Sequence, residues 1–215
     1  MKSSTIQWLG VGRQAPDWSQ IPSVEIDCFP WYEAGRRQGT SAKVAVSDMS
    51  LHARFECDDR HISAQVTQPN GRVCDDSCVE FFFAPDPEKP MTYFNLEINC
   101  CGTVLLAYGP GRHDRLYAPM DVIESIEVQH SIPGPTKLES PDDDGWWVEA
   151  ELPLDALLRM VSFPLPMPGS VWKGNFYRCG GRTDPQYACW APIDLPEGDF
   201  HRPEFFGLLR ISKNP

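Results

Sequence analysis

The stretch CVEFFF (Cys78–Phe83), with TYFNLEIN (Thr92–Asn99) after a turn-rich segment, decides the fold class. Side chains along a β-strand alternate between the two faces of a sheet. In the first stretch every second residue from Val79 onward is apolar, whereas Glu80 falls on the opposite face. In the second stretch apolar residues alternate with a polar row made of Asn95, Glu97 and Asn99. The two stretches therefore predict β-strands that each have one apolar face available for a core.

Similar short segments, separated by turn residues, continue along most of the chain. With 16 Gly and 21 Pro, the composition favours short strands joined by turns over long helices. Only Pro153–Met160, with a proline at its start and leucines on one side, predicts a short helix. We expect a single all-β domain over residues 1–215, folded as a two-sheet antiparallel β-sandwich, jelly-roll-like or immunoglobulin-like, with one short helix. The other predicted strands are Lys43–Met49, Leu51–Cys57, His61–Thr67, Thr103–Tyr108, Val122–His130, Trp146–Leu152, Val171–Arg178 and Phe205–Ile211.

Charge and hydropathy exclude two classes of partner. The 215 residues contain 19 Lys and Arg against 30 Asp and Glu, which gives a formal net charge of −11. A nucleic-acid-binding domain normally carries a basic patch, and the sequence has no run rich in Lys or Arg. No apolar stretch approaches the length of about 18 residues that a membrane span needs. The sequence therefore predicts neither a nucleic-acid partner nor a membrane partner.

The eight cysteines are predicted to be reduced thiols. Residues 1–22 contain no continuous apolar core of a secretory signal, so a reducing, cytoplasmic location is expected. The sequence contains no C-x-x-C pair, and Cys74 and Cys78 are separated by three residues, so no metal ligands are assigned. Buried thiols that act as small apolar side chains are the simpler interpretation.

Several polar and aromatic residues could form a ligand site. Glu80 either accepts hydrogen bonds from ligand hydroxyls or serves neighbouring protein groups, and the row with Glu97 and Asn99 either binds a ligand or faces water. Trp190 lies in a proline-flanked loop, where it is either exposed for stacking or closes one end of the core. His201 could bind a ligand or act as an acid or base, although a hydrogen-bonded structural role is commoner. The predicted ligand-binding residues are Trp190, Glu80, Glu97, Asn99, Arg178 and Tyr187, with no catalytic residue assigned.

Five ordered motifs resemble the family 9-like carbohydrate-binding modules, in particular their free-standing branch. The resemblance extends from about Lys43 to Ile211. It implies a β-sandwich, a carbohydrate ligand, and association with glycoside hydrolases and glycan degradation. The motifs are DDSCVEFFFAPD, YFNLEINCCG, NFYRCGG, Tyr187-x-x-Trp190-x-Pro192 and FHRPEFFGLLRI.

The chain departs from the better-described branch of that family, in which two tryptophans sandwich the end of a glycan. Glu80 matches the glutamate of that site, and Trp190 matches its second tryptophan. The first tryptophan has no counterpart, because the region reads Val73-Cys74-Asp75, and a basic position on the next strand is Glu97 here. Some family members bind structural calcium. Oxygen ligands for it would come from Asp58, Asp59, Asp75, Asp76 and Asp142–Asp144, although no EF-hand-like spacing is present.

Three functions from different classes remain open on the sequence alone. The leading one is non-catalytic carbohydrate binding, with Trp190 and Tyr187 stacking on sugar rings. The first alternative is a glycoside hydrolase in which Glu80 and Glu97 form a carboxylate pair. The second alternative is a protein-interaction module in which Trp190 belongs to the core.

Overall fold

The structure, a computed structural model, describes residues 1–12, 14–86, 88–89, 91–136 and 138–213. Within these ranges the chain forms thirteen strands and two short α-helices. The strands are β1 Ser3–Trp8, β2 Val24–Glu25, β3 Thr40–Val46, β4 Ser50–Asp58, β5 Cys78–Ala84, β6 Tyr93–Asn99, β7 Val104–Gly109, β8 Leu116–Tyr117, β9 Glu127–His130, β10 Gly145–Pro153, β11 Val171–Cys179, β12 Tyr187–Cys189 and β13 Gly207–Ile211. The helices are α1 Met120–Ile123 and α2 Leu154–Met160.

The strands form two sheets that share β1. The first sheet has the order β8-β7-β6-β5-β11-β13-β1, with β12 paired to β11, and the second has the order β1-β3-β4-β10-β9, with β2 paired to β3. The start of β1 pairs with β13 and its end pairs with β3, in both cases in parallel. The other strand pairs are antiparallel. The predicted all-β sandwich is confirmed, and β1, which the sequence analysis missed, adds the two parallel pairings.

The inner faces of the two sheets bury one apolar core. Phe81 on β5 stacks on Phe176 on β11, with ring centroids 4.6 Å apart. Phe55 on β4 of the second sheet meets Phe176 edge-on at 6.3 Å, so aromatic rings bridge the gap between the sheets. Burial of each such side chain contributes about 1.5–3 kcal/mol to the free energy of folding. The apolar faces predicted for β5 and β6 are confirmed, because their inward residues in this core are Val79, Phe81, Phe83, Phe94, Leu96 and Ile98.

A second, smaller apolar layer covers the outer face of the first sheet. Phe82 and Tyr177 point outward from β5 and β11, and their rings meet edge-on at 4.9 Å. Tyr177 also stacks at 4.2 Å on Phe200, which lies in the segment between β12 and β13. Because loops cover this face, its polar side chains are enclosed and not solvated. Asn95 is 1%, Glu97 3% and Asn99 0% exposed.

Two predicted strands are wrong in whole or in part. Residues 61–67 form a loop, because carboxylates capture its backbone N–H groups: Ile62 donates to Asp143, and Val66 donates to Asp76. The segment Val122–His130 begins inside α1, which follows the extended Pro119, and only Glu127–His130 is a strand. The predicted helix is confirmed as Leu154–Met160, and Pro153 is its N-cap residue.

The described part of the chain contains no helix that could cross a membrane and no disulfide. No helix in it has the length and hydropathy needed to cross a bilayer. All eight cysteines lie in described segments and carry free thiols, and five of them are buried.

Candidate functional site

A pocket of about 400 Å³ opens on the outer face of the first sheet. Its floor is formed by β5, β6 and β11, and its walls come from the segments before β5, between β7 and β8, and before β13. The pocket combines carboxylates, arginines and aromatic rings, which are the groups that recognise hydroxyl-rich ligands. The lining residues are Arg72, Cys74, Asp75, Glu80, Glu97, Arg112, Arg115, Cys179, Tyr187, Gly198, Asp199, Phe200 and His201.

Two acidic side chains form the floor of the pocket. Glu80 on β5 and Glu97 on β6 are directly opposite each other in the antiparallel register. Each side chain is on the outer face, and each residue is 3% exposed. Side chains directly opposite on neighbouring strands have Cβ atoms about 4.5–5.5 Å apart, so the two carboxyl groups share one small volume.

The two carboxyl groups have different hydrogen-bond partners. Glu97 Oε1 accepts a hydrogen bond from Asn95 Nδ2 at 2.8 Å and another from Arg115 Nη1 at 3.3 Å. Glu80 Oε1 accepts one from the Cys179 thiol, with an Sγ–Oε1 distance of 2.9 Å. Burial raises the pKa of the Cys179 thiol well above its ordinary value, which keeps this group protonated and able to donate. Of the two, only Glu97 therefore has a cationic neighbour in hydrogen-bond contact among the residues that the structure describes.

Burial dominates the electrostatics of the acidic pair. It raises the pKa of Glu80 well above the ordinary value, and the nearby Glu97 adds to the effect. Burial also raises the pKa of Glu97, although Arg115 and Asn95 act in the opposite direction. Since two like charges this close are unfavourable in a poorly solvated site, both groups resist simultaneous ionisation.

Arginine, aspartate and histidine build the wall of the pocket. Arg112 Nη2 donates to Asp199 Oδ1 at 2.9 Å, and the backbone N–H of His201 donates to the same oxygen at 3.1 Å. Burial works to raise the pKa of Asp199, but these two hydrogen bonds lower it overall. His201 Nδ1 lies 2.9 Å from the Tyr93 hydroxyl. Burial first, and then Arg115 and Arg112, lower the pKa of His201 to about 3, so this ring is neutral.

Unused polar and aromatic surface remains at the pocket. Arg115 Nε is buried and has no hydrogen-bond partner among the described residues. Tyr187 on β12 is 45% exposed and lies edge-on to Phe200 at a centroid distance of 6.1 Å. Near the entrance, Arg72 holds Asp75 through two hydrogen bonds of 3.0 Å. The pocket thus offers one ring face and one free donor in addition to its carboxyl groups.

Three of the predicted ligand residues line this pocket, namely Glu80, Glu97 and Tyr187. The expectation that Trp190 is an exposed stacking ring is wrong, because the residue is 3% exposed and belongs to the inner core. Its indole meets Phe176 edge-on at 5.7 Å. Trp190 follows β12 and shares its inward side with Ala188, whereas Tyr187 is outward, so the strand alternation places the tyrosine, and not the tryptophan, at the pocket.

Arg178 and Asn99 also lie outside the pocket. Arg178 is fully buried between the sheets, where its Nη2 lies 2.9 Å from Asp59 Oδ1. Asn99 is on the same face as Glu97, but at the end of β6, where its Nδ2 donates at 2.9 Å to Val66 O and Asp76 Oδ2. Both side chains are committed to protein groups, so their assignment as ligand residues is not supported by the geometry.

Several lining residues were not predicted from the sequence, among them the charged Arg72, Arg112, Arg115 and Asp199. These four come from loops, and no periodic pattern locates a loop side chain relative to a sheet. The GPGRHDR segment at residues 109–115 carried a detectable signal, because it places two arginines in a turn of an otherwise acidic chain.

The aspartates considered as calcium ligands are largely used by the protein itself. Asp76 accepts backbone N–H groups of residues 65 and 66, and Asp143 accepts those of residues 62 and 140. Asp59 is paired with Arg178 and Trp146. Within the described ranges, no group of three or more His, Cys, Asp or Glu side chains is placed to hold a metal ion.

Comparison with known proteins gives consistent matches. The sequence profile of carbohydrate-binding family 9 matches residues 13–211. A crystal structure of a candidate carbohydrate-binding protein from Bacteroides uniformis ATCC 8492 is 27% identical, with 98% of this chain and 99% of that chain covered and a TM-score of 0.87. Among curated proteins, none matches this chain.

Two more distant structures share the fold. Both are family 9 carbohydrate-binding modules from Caldicellulosiruptor kristjanssonii. The module in complex with glucose is 12% identical, with 100% and 97% of the two chains covered and a TM-score of 0.64. The module in complex with cellotriose is 13% identical, with 99% and 95% covered and a TM-score of 0.62.

Proposed function

The chain belongs to carbohydrate-binding family 9, and on that premise we propose that it is a non-catalytic saccharide-binding protein whose site is the pocket on the outer face of the first sheet. The observation that carries the proposal is the placement of two buried carboxyl groups below a half-exposed tyrosine in one pocket. The similar modules that contain glucose and cellotriose support a saccharide as the ligand class.

Tyr187 supplies the stacking surface in this proposal. Sugar rings carry apolar C–H faces, and an exposed aromatic ring covered by such a face loses unfavourable contact with water. Tyr187 is the one ring in the pocket lining that is almost half exposed, since Phe200 is 7% exposed. A single tyrosine thus replaces the pair of tryptophans that the sequence analysis took as the reference site.

Polar groups around the pocket would read the sugar hydroxyls. Glu97 and Glu80 supply oxygen atoms at the floor, and the free Nε of Arg115 supplies a donor at the wall. The neutral ring of His201 can interact with a hydroxyl through Nε2, because its Nδ1 is engaged by Tyr93. In each of the ion pairs Arg72–Asp75, Arg112–Asp199 and Arg115–Glu97, the two opposite charges cancel. A pocket lined by such neutral pairs suits an uncharged ligand.

Isothermal titration calorimetry with D-glucose, cellotriose and a panel of other neutral oligosaccharides tests the proposal. We expect saturable binding of at least one saccharide, and at least a tenfold loss of affinity in Glu97→Gln. Glu149→Gln is the matched control, because Glu149 forms an arginine pair on the second sheet, with Arg54 at 2.8 Å. Absence of binding across the panel, or equal losses in both variants, would contradict the proposal.

The family resemblance also implies a functional association with glycoside hydrolases and glycan degradation, and we include it in the proposal. Co-purification of the chain with a glycan-cleaving enzyme of its host tests this part. A protein that binds saccharides but never associates with such an enzyme would refute the association and leave the binding intact.

A second candidate function is glycoside hydrolysis by Glu80 and Glu97. The observation in its favour is the unequal environment of the pair, since burial holds the pKa of Glu80 high while Arg115 and Asn95 favour the charge on Glu97. An acid and a base with separated pKa values are what glycosidases use. Turnover of aryl glycosides that is abolished by both Glu80→Gln and Glu97→Gln would establish this function, and no turnover by the wild-type protein would exclude it for those substrates.

A further inference from the structure

One acidic side chain in the pocket differs from the other three. Asp75, Glu97 and Asp199 each lie within 3.3 Å of an arginine nitrogen, from Arg72, Arg115 and Arg112 respectively. Glu80 has no ion-pair partner among the residues that the structure describes. The hydrogen bond that its carboxyl group accepts comes from the Cys179 thiol, which is uncharged.

A buried carboxylate without a cation is costly, and a second carboxylate directly opposite makes it more so. Removing an isolated carboxylate from water costs several kcal/mol, and such groups take up a proton to avoid that cost. Of the opposed pair, Glu97 is better able to keep the charge, because Arg115 and Asn95 both donate to it. Glu80 is therefore the member of the pair that retains the proton.

We propose that Glu80 and Glu97 share a single proton, held by Glu80, under conditions in which exposed glutamates are ionised. The floor of the pocket then presents one carboxyl O–H donor and one carboxylate acceptor, side by side on neighbouring strands. This inference rests on the proposed saccharide-binding function and specifies it further. The matching ligand group is a pair of adjacent hydroxyls on an uncharged sugar, one accepting from Glu80 and the other donating to Glu97.

The groups around the pair are compatible with this assignment. Burial and Glu97 raise the pKa of Glu80, against smaller opposing effects of Cys179, Arg115 and Arg112. The thiols and phenols nearby have raised pKa values and stay neutral, and so does His201, whose pKa is lowered. The titratable and charged side chains that surround the pair are Cys78 on β5, Tyr93 on β6, Tyr177 and Cys179 on β11, Tyr187 on β12, Arg72, Cys74 and Asp75 before β5, Arg112, His113 and Arg115 after β7, and Asp199 and His201 before β13.

Carbon-13 NMR of the ligand-free, full-length protein tests the shared proton directly. Glutamate is labelled at the carboxyl carbon, and the two signals are assigned with Glu80→Gln and Glu97→Gln. We expect the Glu80 signal to titrate well above the ordinary glutamate range, and to shift down towards that range in Glu97→Gln. If Glu80 titrates in the ordinary glutamate range in the wild-type protein, the inference is overturned, whatever saccharide binds.

Binding measurements test the consequence for recognition, with cellotriose and D-glucose as the probes. Glutamine resembles a protonated glutamate in shape and can donate from its amide. We expect Glu97→Gln to lose at least tenfold in affinity, and Glu80→Gln to lose clearly less than Glu97→Gln. Equal losses in the two variants would contradict a neutral Glu80. If neither probe binds the wild-type protein, the proposed function fails for those sugars while the NMR titration still decides the protonation.

Discussion

Arg178 and Asp59 form a fully buried ion pair that ties the first sheet to the second. Arg178 Nη2 on β11 lies 2.9 Å from Asp59 Oδ1, directly after β4. Arg178 Nη1 also donates to Thr40 Oγ1 at 3.2 Å, and Trp146 Nε1 donates to Asp59 Oδ2 at 2.7 Å. Since β3, β4 and β10 belong to the second sheet, this network fixes one end of the sandwich.

Arg178→Met should therefore destabilise the protein without acting through the pocket. The substitution leaves Asp59 buried without its cation, and breaking such a pair costs about 3–5 kcal/mol of unfolding free energy. Urea denaturation measures the loss, and the exposed Arg182 provides a control through Arg182→Met. A stability within about 0.5 kcal/mol of wild type, which is the usual range for surface changes, would show that the pair is not structural.

Trp190 should likewise affect stability more than binding. Its ring is enclosed by the inner core, and replacing a buried tryptophan by alanine costs about 3–5 kcal/mol. Trp190→Phe keeps an aromatic ring and should fold with a smaller loss. Calorimetry of this variant should give wild-type saccharide affinity. A tenfold weaker affinity in a stably folded Trp190→Phe would show that the indole takes part in binding.

His201 should make the protein sensitive to acid. The folded-state pKa of about 3 lies below the ordinary value of 6.5, so the unfolded chain binds a proton in this window that the folded protein does not. Stability therefore falls as pH decreases from about 6.5 to about 3, by up to about 1.4 kcal/mol per pH unit from this group. His201→Gln should flatten that part of the stability profile. A wild-type profile in His201→Gln would contradict the burial of a neutral His201.

Glu80 should have the opposite effect at higher pH. Because its folded-state pKa is raised, the folded protein keeps a proton that the unfolded chain releases once the pH exceeds the ordinary glutamate value. Stability from this group is thus complete at low pH and is lost as the pH rises through that window. In thermal unfolding, the stability of Glu80→Gln relative to wild type should increase as the pH rises. A constant difference across the range would mean that Glu80 titrates normally.

The β-sandwich could be predicted because the sequence patterns that indicate its strands extend over only a few neighbouring residues. In β6 apolar and polar residues alternate regularly, and in β5 Glu80 falls on the face opposite Val79, Phe81 and Phe83. The two patterns identified the inner face and the outward positions of Glu80 and Glu97. The loop at residues 61–67 alternates as regularly as β6 but is not a strand. Asp76, and Asp143 from a segment distant in sequence, bind its backbone N–H groups and prevent pairing.

The site was only partly predictable, because the side of the sheet on which a side chain lies depends on the strand register and on the path of the loops. Arg178 lies one residue from the outward Tyr177, so a shift of one position decides between the pocket and the inner core. Trp190 and Tyr187 are three residues apart, and the strand β12 between them turns their rings to opposite sides. From a loop after β7, Arg115 reaches Glu97 on the floor and Arg112 reaches Asp199 on the wall, and no short-range pattern indicates these contacts.

The most direct test of the saccharide site is a calorimetric comparison of two aromatic variants, with the saccharide of the panel that binds best. Trp147 is the matched control, because it lies half-buried on the second sheet, with the Arg54 guanidinium 4.8 Å from its ring. Tyr187→Ala should weaken binding about two- to tenfold, as loss of an aromatic contact of about 0.5–1.5 kcal/mol implies, and Trp147→Ala should leave the affinity unchanged. Unchanged affinity in Tyr187→Ala together with lost binding in Trp147→Ala would show that the saccharide binds on the second sheet, and would contradict a site at Tyr187.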